Sequence, residues 1–573
     1  MRNLLSHLRA YRRECVLGPL LKLMEAALEL FVPLVVAAVI DHGIENADQP
    51  YIVKMSLVLV GLGLLGLLFS VTAQYFSARA AVGFVTKLRR VLYAHVQRFP
   101  YSTLDRIGIP TLITRMSSDM NQVQTGLNLT LRLLLRSPFV VFGAMVMAFT
   151  VDPTAALWFV AAIPVLALVV FGVMLVTIPM YRRVQERLDK LLGTTRENLN
   201  GVRVLRAFRK EKNECERFEE ENSALTDVQQ RVGKVSALMN PVTYVVVNLA
   251  VILLIRTGAL RVNAGILTQG AVVALYNYMS QILVELIKLA NLIINITKSV
   301  ACGKRIQSIL DIPDEETAEA GLPKGDPSVR VEFENAGLRY QSSSGEALSG
   351  VSFKALAGQT VGVIGGTGSG KTTLINLIPR FYEASSGAVY VDGENVRGVA
   401  PSKLRSKIGL VPQKPALFRG TIRDNLRWGC ENASDELLEE AVKAAQAEEV
   451  VASKGGLDGM IEQFGRNLSG GQRQRLTIAR ALVRRPEILI LDDSSSTLDF
   501  ATDAALRRAL RSLPYRPTIF LVSQRTTAVK NADLILVLDE GRLVGSGVHE
   551  TLLRDCPVYR EIHESQFRKE AAQ

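Results

Sequence analysis

The sequence predicts an α-helical membrane domain, six transmembrane helices with long intracellular extensions, followed by an α/β P-loop domain. Three observations carry this. Six apolar stretches are each long enough to cross a bilayer, two of the connections between them are long and charged, and the composition changes sharply near residue 311. Beyond that point, after an acidic stretch and the Gly/Pro-rich run Gly321 to Ser328, the pattern alternates at period two and one strand enters a glycine-rich turn. A chain of 573 residues is too long for one core. The expected division is 1–310 for the membrane domain with an N-terminal elbow helix, 311–328 for the linker and 329–573 for the soluble domain.

The spans are expected at roughly 15–40, 52–76, 128–150, 154–179, 238–260 and 271–297, each sufficient for about 30 Å of hydrocarbon. Two external connections are short: Asp41 to Pro50 carries Asp41, Glu45 and Asp48 without Lys or Arg, and Val151-Asp152-Pro153 is a tight turn. Met1 to Arg13 is basic, with Leu4, Leu5, Leu8 and Tyr11 on one helical face opposite Arg2, Arg9 and Arg12, as in a helix lying on a membrane surface. The long apolar run that follows carries Lys22, Glu25 and Glu29, which reads as a retained span and not a cleaved signal. The positive-inside tendency puts both termini in the cytoplasm.

The connections from Ser77 to Leu127 and from Tyr181 to Ala237 are charged and nearly free of breakers, apart from centres at Gly108-Ile109-Pro110 and around Gly201. Each reads as two helices extending about 35 Å past the bilayer and joined by a short cross-piece, a lever suited to transmitting movement. A solvated coiled coil with a purely structural role is the alternative. Charged residues within the spans need polar company: Glu25 with Glu29, Arg132 with Arg136, and Glu285 with Lys288 sit about one turn apart. Pairing across the bundle is the preferred reading, ahead of a water-filled pathway that contacts cargo.

The net charge of +12 excludes little by itself, but no compact Lys/Arg tract interleaved with aromatics points to nucleic acid. Membrane proteins gather such charge on cytoplasmic segments. The five cysteines, Cys15, Cys215, Cys302, Cys430 and Cys556, have neither disulfide nor zinc spacing.

In the soluble half, Val329 to Phe333 alternates as a strand, and the strand Thr360 to Ile364 enters Gly365-Gly366-Thr367-Gly368-Ser369-Gly370-Lys371-Thr372-Thr373, followed by a helical pattern. This is G-x-x-x-x-G-K-T in its strand, loop and helix context, where glycines bring N–H groups to phosphate, Lys371 neutralises the outer phosphates and Thr372 can ligate Mg²⁺. About 0.02 such matches are expected by chance in a chain this long. A second strand, Ile488 to Leu491, ends in Asp492, placed to hold the Mg²⁺ water shell. Between them, Leu468-Ser469-Gly470-Gly471-Gln472 opens a helix and offers a second anion site.

With these motifs in this order the chain resembles, over essentially its full length, an ATP-binding cassette (ABC) transporter half of the exporter type: six spans fused to a P-loop ABC ATPase domain. The resemblance implies ATP and Mg²⁺ as cofactors. It implies a second ABC half-transporter as partner, each ATP sitting between one half's P-loop and the other's Ser469 to Gln472 equivalent. Membrane lipid and a small-molecule transport substrate are the other implied partners. It gives Tyr340 to adenine, Gln413 to Mg²⁺ sensing and coupling, Asp499 in Ser496-Thr497-Leu498-Asp499 to communication across the dimer, and coupling helices to Gly108–Ile113 and Gly201–Lys212.

Two positions depart from the family pattern. In the family a glutamate is usual after the aspartate matching Asp492, where this chain has Asp493, and a histidine is usual where it has Gln524. The shorter carboxylate is withdrawn by about an angstrom, a displacement that can cost about a hundredfold in rate. An amide can bond a γ-phosphate but never becomes charged. The expectation is therefore one subunit of a heterodimeric, multidrug-like exporter, ATP-hydrolysing as a whole and weak at its own P-loop. A slow homodimeric exporter, an importer such as for siderophores, and a non-transporting ATP-gated regulator are the alternatives. Lipophilic or amphipathic cargo is expected, drugs or lipids before peptides, and Phe139, Trp158, Tyr244, Tyr276 and Tyr278 are either cavity lining or packing.

Overall fold

A computed structural model describes residues 4, 6–314, 319, 321–340, 345–494 and 497–566 in full and the backbone of 567–570. Arg2 and Leu5 of the expected surface helix, part of the acidic linker and Ser496 lie outside the described residues. Contacts divide the chain into two compact units, 1–97 with 110–312, and 98–109 with 313–573.

In the first unit six helices are long and apolar enough to cross a membrane: His7–Ile44, Gln49–Val96, Ile109–Val151, Pro153–Asn200, Glu211–Asn263 and Gln269–Leu310. They continue well past the apolar stretches, as the charged connections predict. Their ends are fixed by capping: Asp48, Asp152 and Thr268 accept from the backbone N–H of Tyr51, Thr154 and Ala271. At the far end of the bundle, the Arg305 guanidinium grips both oxygens of the buried Asp119, at 3.0 and 2.5 Å, and Arg115 joins at 2.9 Å. That bidentate pair ties the end of the sixth helix to the third. Gly126 lets these two helices cross closely, since a Cβ there would meet the Ser299 side chain at 2.2 Å.

Of the charges within the spans, Arg136, Glu29 and Glu285 pair across the bundle, whereas Arg132 keeps a buried Nε with no hydrogen-bond partner among the described residues. Arg136 donates to Glu285 at 2.5 Å and to Glu29 at 2.6 Å, while Glu285 also accepts from Ser137 and Lys288 at 2.8 Å each. Glu25 pairs with Lys22, which also donates to Ser70. Of the five aromatic candidates, Tyr278 is fully buried and donates to the Leu30 carbonyl, so it is packing. Trp158 bonds Thr257, while Phe139, Tyr244 and Tyr276 are exposed.

The position of the first cross-piece differs from expectation. The helix break falls before Gly108: Gln49–Val96 ends, Phe99-Pro100 turns the chain, and a separate helix, Tyr101–Ile107, packs in the second unit. Pro100, in extended conformation before that helix, cannot continue the preceding one, and Gly108 with φ +77° closes the new one. The second cross-piece, Val202–Ala207, lies inside the expected range.

The second unit holds twelve described strands: β1 (Val329–Leu338), β2 (Leu348–Leu356), β3 (Thr360–Gly365), β4 (Ser386–Val391), β5 (Glu394–Asn395), β6 (Ile408–Val411), β7 (Gly420–Thr421), β8 (Met460–Ile461), β9 (Ile488–Asp492), β10 (Thr518–Ser523), β11 (Leu534–Asp539) and β12 (Arg542–Gly547). An antiparallel sheet runs β2-β1-β4-β5 and a mainly parallel one β12-β11-β3-β10-β9-β6, with β7-β8 as a small third pair. The near-continuous apolar runs of β3, β9 and β10 are those of strands covered on both faces. Phe333 stacks on Phe353 at 4.6 Å, and Phe353 meets Phe520 edge-on, joining the two sheets. On this unit's surface the Tyr101–Ile107 helix is held by Tyr101 stacked on Phe381 at 4.3 Å and by the Tyr382 hydroxyl donating to Asp105 at 2.5 Å.

Removing one member of a buried ion network strands the others. Arg136→Met is expected to destabilise the membrane unit by about 3–5 kcal/mol. Adding Glu29→Gln and Glu285→Gln recovers most of that loss, measured as thermal unfolding in nanodiscs; a lone Arg136→Met without effect contradicts the pairing.

Candidate nucleotide site

The register of three strands builds the site. In β10, Ser523 pairs with Ile364 of β3 and Val522 with Asp492 of β9, so the carboxyl ends of all three lie side by side. Each then turns out of the sheet with a different functional group: the P-loop, the aspartate pair and Gln524. A pocket of about 340 Å³ opens there, lined by Tyr340, Ala347, Thr367 to Thr373, Gln413, Asp492, Asp493, Val522 and Gln524.

The P-loop is tightly constrained. A Cβ on Gly365 would meet the Leu538 carbonyl oxygen at 2.2 Å, and neither is a flexible side-chain end, so glycine is required. Gly365 and Gly366 stand behind the pocket wall and turn their carbonyls to the Lys371 ammonium, at 2.9 and 2.5 Å. Thr372 donates to both oxygens of Asp492, at 3.2 and 3.1 Å, a hydroxyl and carboxylate pair of the kind that holds an oxygen-seeking divalent cation. The hydroxyl of Tyr340 donates to Thr373 at 3.1 Å, setting the ring at one edge of the pocket. Ala347 and Val522 complete the wall; having no reactive side chain, they gave no signal in the sequence.

Asp493 has left-handed backbone, φ +44°, which Asp tolerates better than most residues. Its N–H donates to the Val522 carbonyl at 3.1 Å, and its carboxylate is hydrogen-bonded by the Gln413 side chain. Burial raises the pKa of both carboxyl groups above the ordinary aspartate value, and for Asp492 the neighbouring charge of Asp493 adds to the rise. Burial lowers that of Lys371, against the pull of both aspartates.

Ser469 to Gln472 are absent from this pocket's described lining. Ser469 caps the Gly470–Val483 helix in a reciprocal box: its hydroxyl accepts from the Gln472 N–H at 3.3 Å, and the Gln472 side chain accepts from the Ser469 N–H at 2.9 Å. Asp499 is likewise outside the pocket. It caps the Phe500–Arg511 helix by accepting from Thr502 N–H, which holds its carboxyl below the usual range.

The raised carboxyl pKa values give a pH signature. A proton is held to higher pH than on an ordinary aspartate, so acidification removes negative charge facing a nucleotide's phosphates before it would in water. In EDTA, affinity for a fluorescent ATP analogue is expected to rise as pH falls toward the raised pKa values. Asp493→Asn should reduce that rise, read as the difference between the two profiles, which cancels the nucleotide's own titration; superimposable profiles would contradict the assignment.

Comparisons with known proteins agree with this architecture. Residues 15–286 match the ABC transporter transmembrane region and residues 348–496 match ABC transporter. The uncharacterized ABC transporter ATP-binding protein YfiB of Bacillus subtilis (strain 168) is 35% identical over 574 residues, covering 100% of both chains. The ATP-dependent lipid A-core flippase of Syntrophus aciditrophicus (strain SB) is 30% identical over 496 residues, 85% of this chain and 81% of that one. Among solved structures, a bacterial Atm1-family ABC exporter with ATP bound superposes with TM-score 0.79 at 23% identity, over 98% of this chain and 99% of that one. Six helices capable of spanning a membrane, a P-loop pocket at the ends of parallel strands and full-length kinship thus converge: this chain belongs to the ABC transporters, as an integral membrane, ATP-hydrolysing transporter with the exporter fold.

Proposed function

We propose that this chain is one subunit of a heterodimeric ABC exporter, carrying a degenerate ATP site on its own P-loop and lending Ser469 to Gln472 to a competent site on its partner's. The observation that carries the reading is the pairing of Asp493 and Gln524 in one otherwise complete pocket. A water held for attack needs a carboxylate at one side of the γ-phosphate and a group stabilising charge at another. Here the carboxylate sits on a short stem already engaged by Gln413, and Gln524 has no proton to gain. The capped Ser469 to Gln472 turn, outside this pocket, is presented for another P-loop. Mg²⁺ would be held by Thr372 and Asp492, with Gln413 nearby, and would supply charge neutralisation of the β- and γ-phosphates. Tyr340 bounds the side where a base would stack, and Asp499 would communicate between the halves.

Amphipathic cargo is favoured by the membrane unit. A cavity of about 390 Å³ is lined by Glu29, Asn277, Ser280, Gln281 and Lys288 together with Val32, Val140 and Val284, and one of about 630 Å³ by Val36, Leu59, Leu62 and Leu67 together with Glu25, Ser70 and Arg136. Both include Glu29, so polar and apolar walls adjoin. Transport outward from a cytoplasm containing both termini completes the reading.

The test compares ATP turnover of the purified chain alone and with a copurifying partner. The lone chain should turn over at least about tenfold more slowly than the pair, and equal rates sink the divided task. Asp493→Glu with Gln524→His is expected to raise hydrolysis at this site by about a hundredfold, the scale of an angstrom of misplacement. No gain means another feature limits it.

A further inference from the structure

The C-terminal helix, Pro557–Glu570, runs past the loop that leaves β10 at the nucleotide pocket. Its base is anchored in the core: Tyr559 is fully buried, and its hydroxyl lies 2.8 Å from Nδ1 of the buried His549. Seven residues on, or about 10 Å along the axis, Gln566 reaches the loop that leaves β10. Its side-chain amide makes three bonds there. Nε2 donates to the Gln524 carbonyl at 2.7 Å, while Oε1 accepts from the Thr526 N–H at 2.9 Å and the Thr526 hydroxyl at 3.0 Å. His563, one turn earlier, places Nδ1 3.3 Å from the same hydroxyl.

One amide thus bridges the main-chain acceptor of Gln524 and the main-chain donor of Thr526, the two residues flanking Arg525. Other contacts complete the loop's fixation. The Arg525 N–H donates to the buried Ser523 hydroxyl at 3.0 Å, and the Arg525 guanidinium lies 5.5 Å from the Phe500 ring centre. Yet Gln524 itself is exposed on the pocket wall, and its backbone carbonyl accepts the Gln566 side-chain bond.

We propose that Gln566 is a positioning residue for the nucleotide site: the C-terminal helix holds the loop after β10 so that the Gln524 side chain faces the γ-phosphate position. The helix then senses or sets the state of that loop, and disturbance of the chain's C-terminal end is felt as altered nucleotide retention. This holds whether the partner half is identical or different, so it stands apart from the heterodimer reading.

The test uses the full chain in nanodiscs, with its partner if one copurifies, and follows release of a fluorescent ATP analogue with Mg²⁺ by stopped flow. Gln566→Ala is expected to speed release about tenfold, the effect of losing a short set of hydrogen bonds. In a Gln524→Ala background the same substitution should change release less than twofold, because the side chain it positions is gone. A merely structural role predicts equal acceleration in both backgrounds, and that result, or an unchanged rate in the first, overturns the proposal. Should Gln566→Ala fail to fold, Gln566→Met fills the same space without polar atoms and is read by the same two comparisons.

Discussion

Three parallel strands share one register, and the site depends on it. With Val363, Val522 and Asp492 in step across β3, β10 and β9, the chain must leave the sheet three times within one small area, so glycine loop, aspartate pair and glutamine meet without any of them being near in sequence. Slipping β10 by one residue would exchange its two faces and carry Gln524 out of the pocket. The apolar cover on both faces, including Phe520 against Phe353, fixes that register by burial. Chemistry at the edge of the sheet therefore rests on packing at its centre.

The parts of this arrangement that were legible in the sequence are those with strong local signals. Gly365 to Thr372 announces itself by glycine spacing, and at two of its glycines there is no room for a Cβ: Gly365 against the Leu538 carbonyl and Gly370 against the Ala347 carbonyl. Asp492 and Asp493 stand at the end of an apolar strand, and the six spans are long apolar runs. Other parts carry no such mark. Ala347 and Val522 contribute wall and backbone alone, and Gln566 is an ordinary helical glutamine whose meaning comes from the loop opposite it. The first cross-piece was displaced toward Gly108 because a Gly-Ile-Pro cluster is a louder breaker than Phe99-Pro100, although the proline at 100 is what ends the long helix.

Charge within the membrane unit follows a similar logic. The order Glu29, Arg136, Glu285, Lys288 alternates in sign, so each buried charge has an opposite neighbour while the outer members, Glu29 and Lys288, remain near two-fifths exposed. A network of this form pairs its interior charges and leaves its ends partly exposed. Spacing along one helix could show only that such residues share a face; the partner helices are a matter of fold.

The docking of Tyr101–Ile107 has a consequence for how the soluble portion can be handled. Phe381 and Tyr382, which would otherwise be sticky surface aromatics, are covered by a segment that lies more than two hundred residues upstream in the chain. A recombinant fragment starting at residue 329 is therefore a domain missing one of its own shingles, and it would present an oily, aggregation-prone facet that the intact polypeptide keeps partly covered.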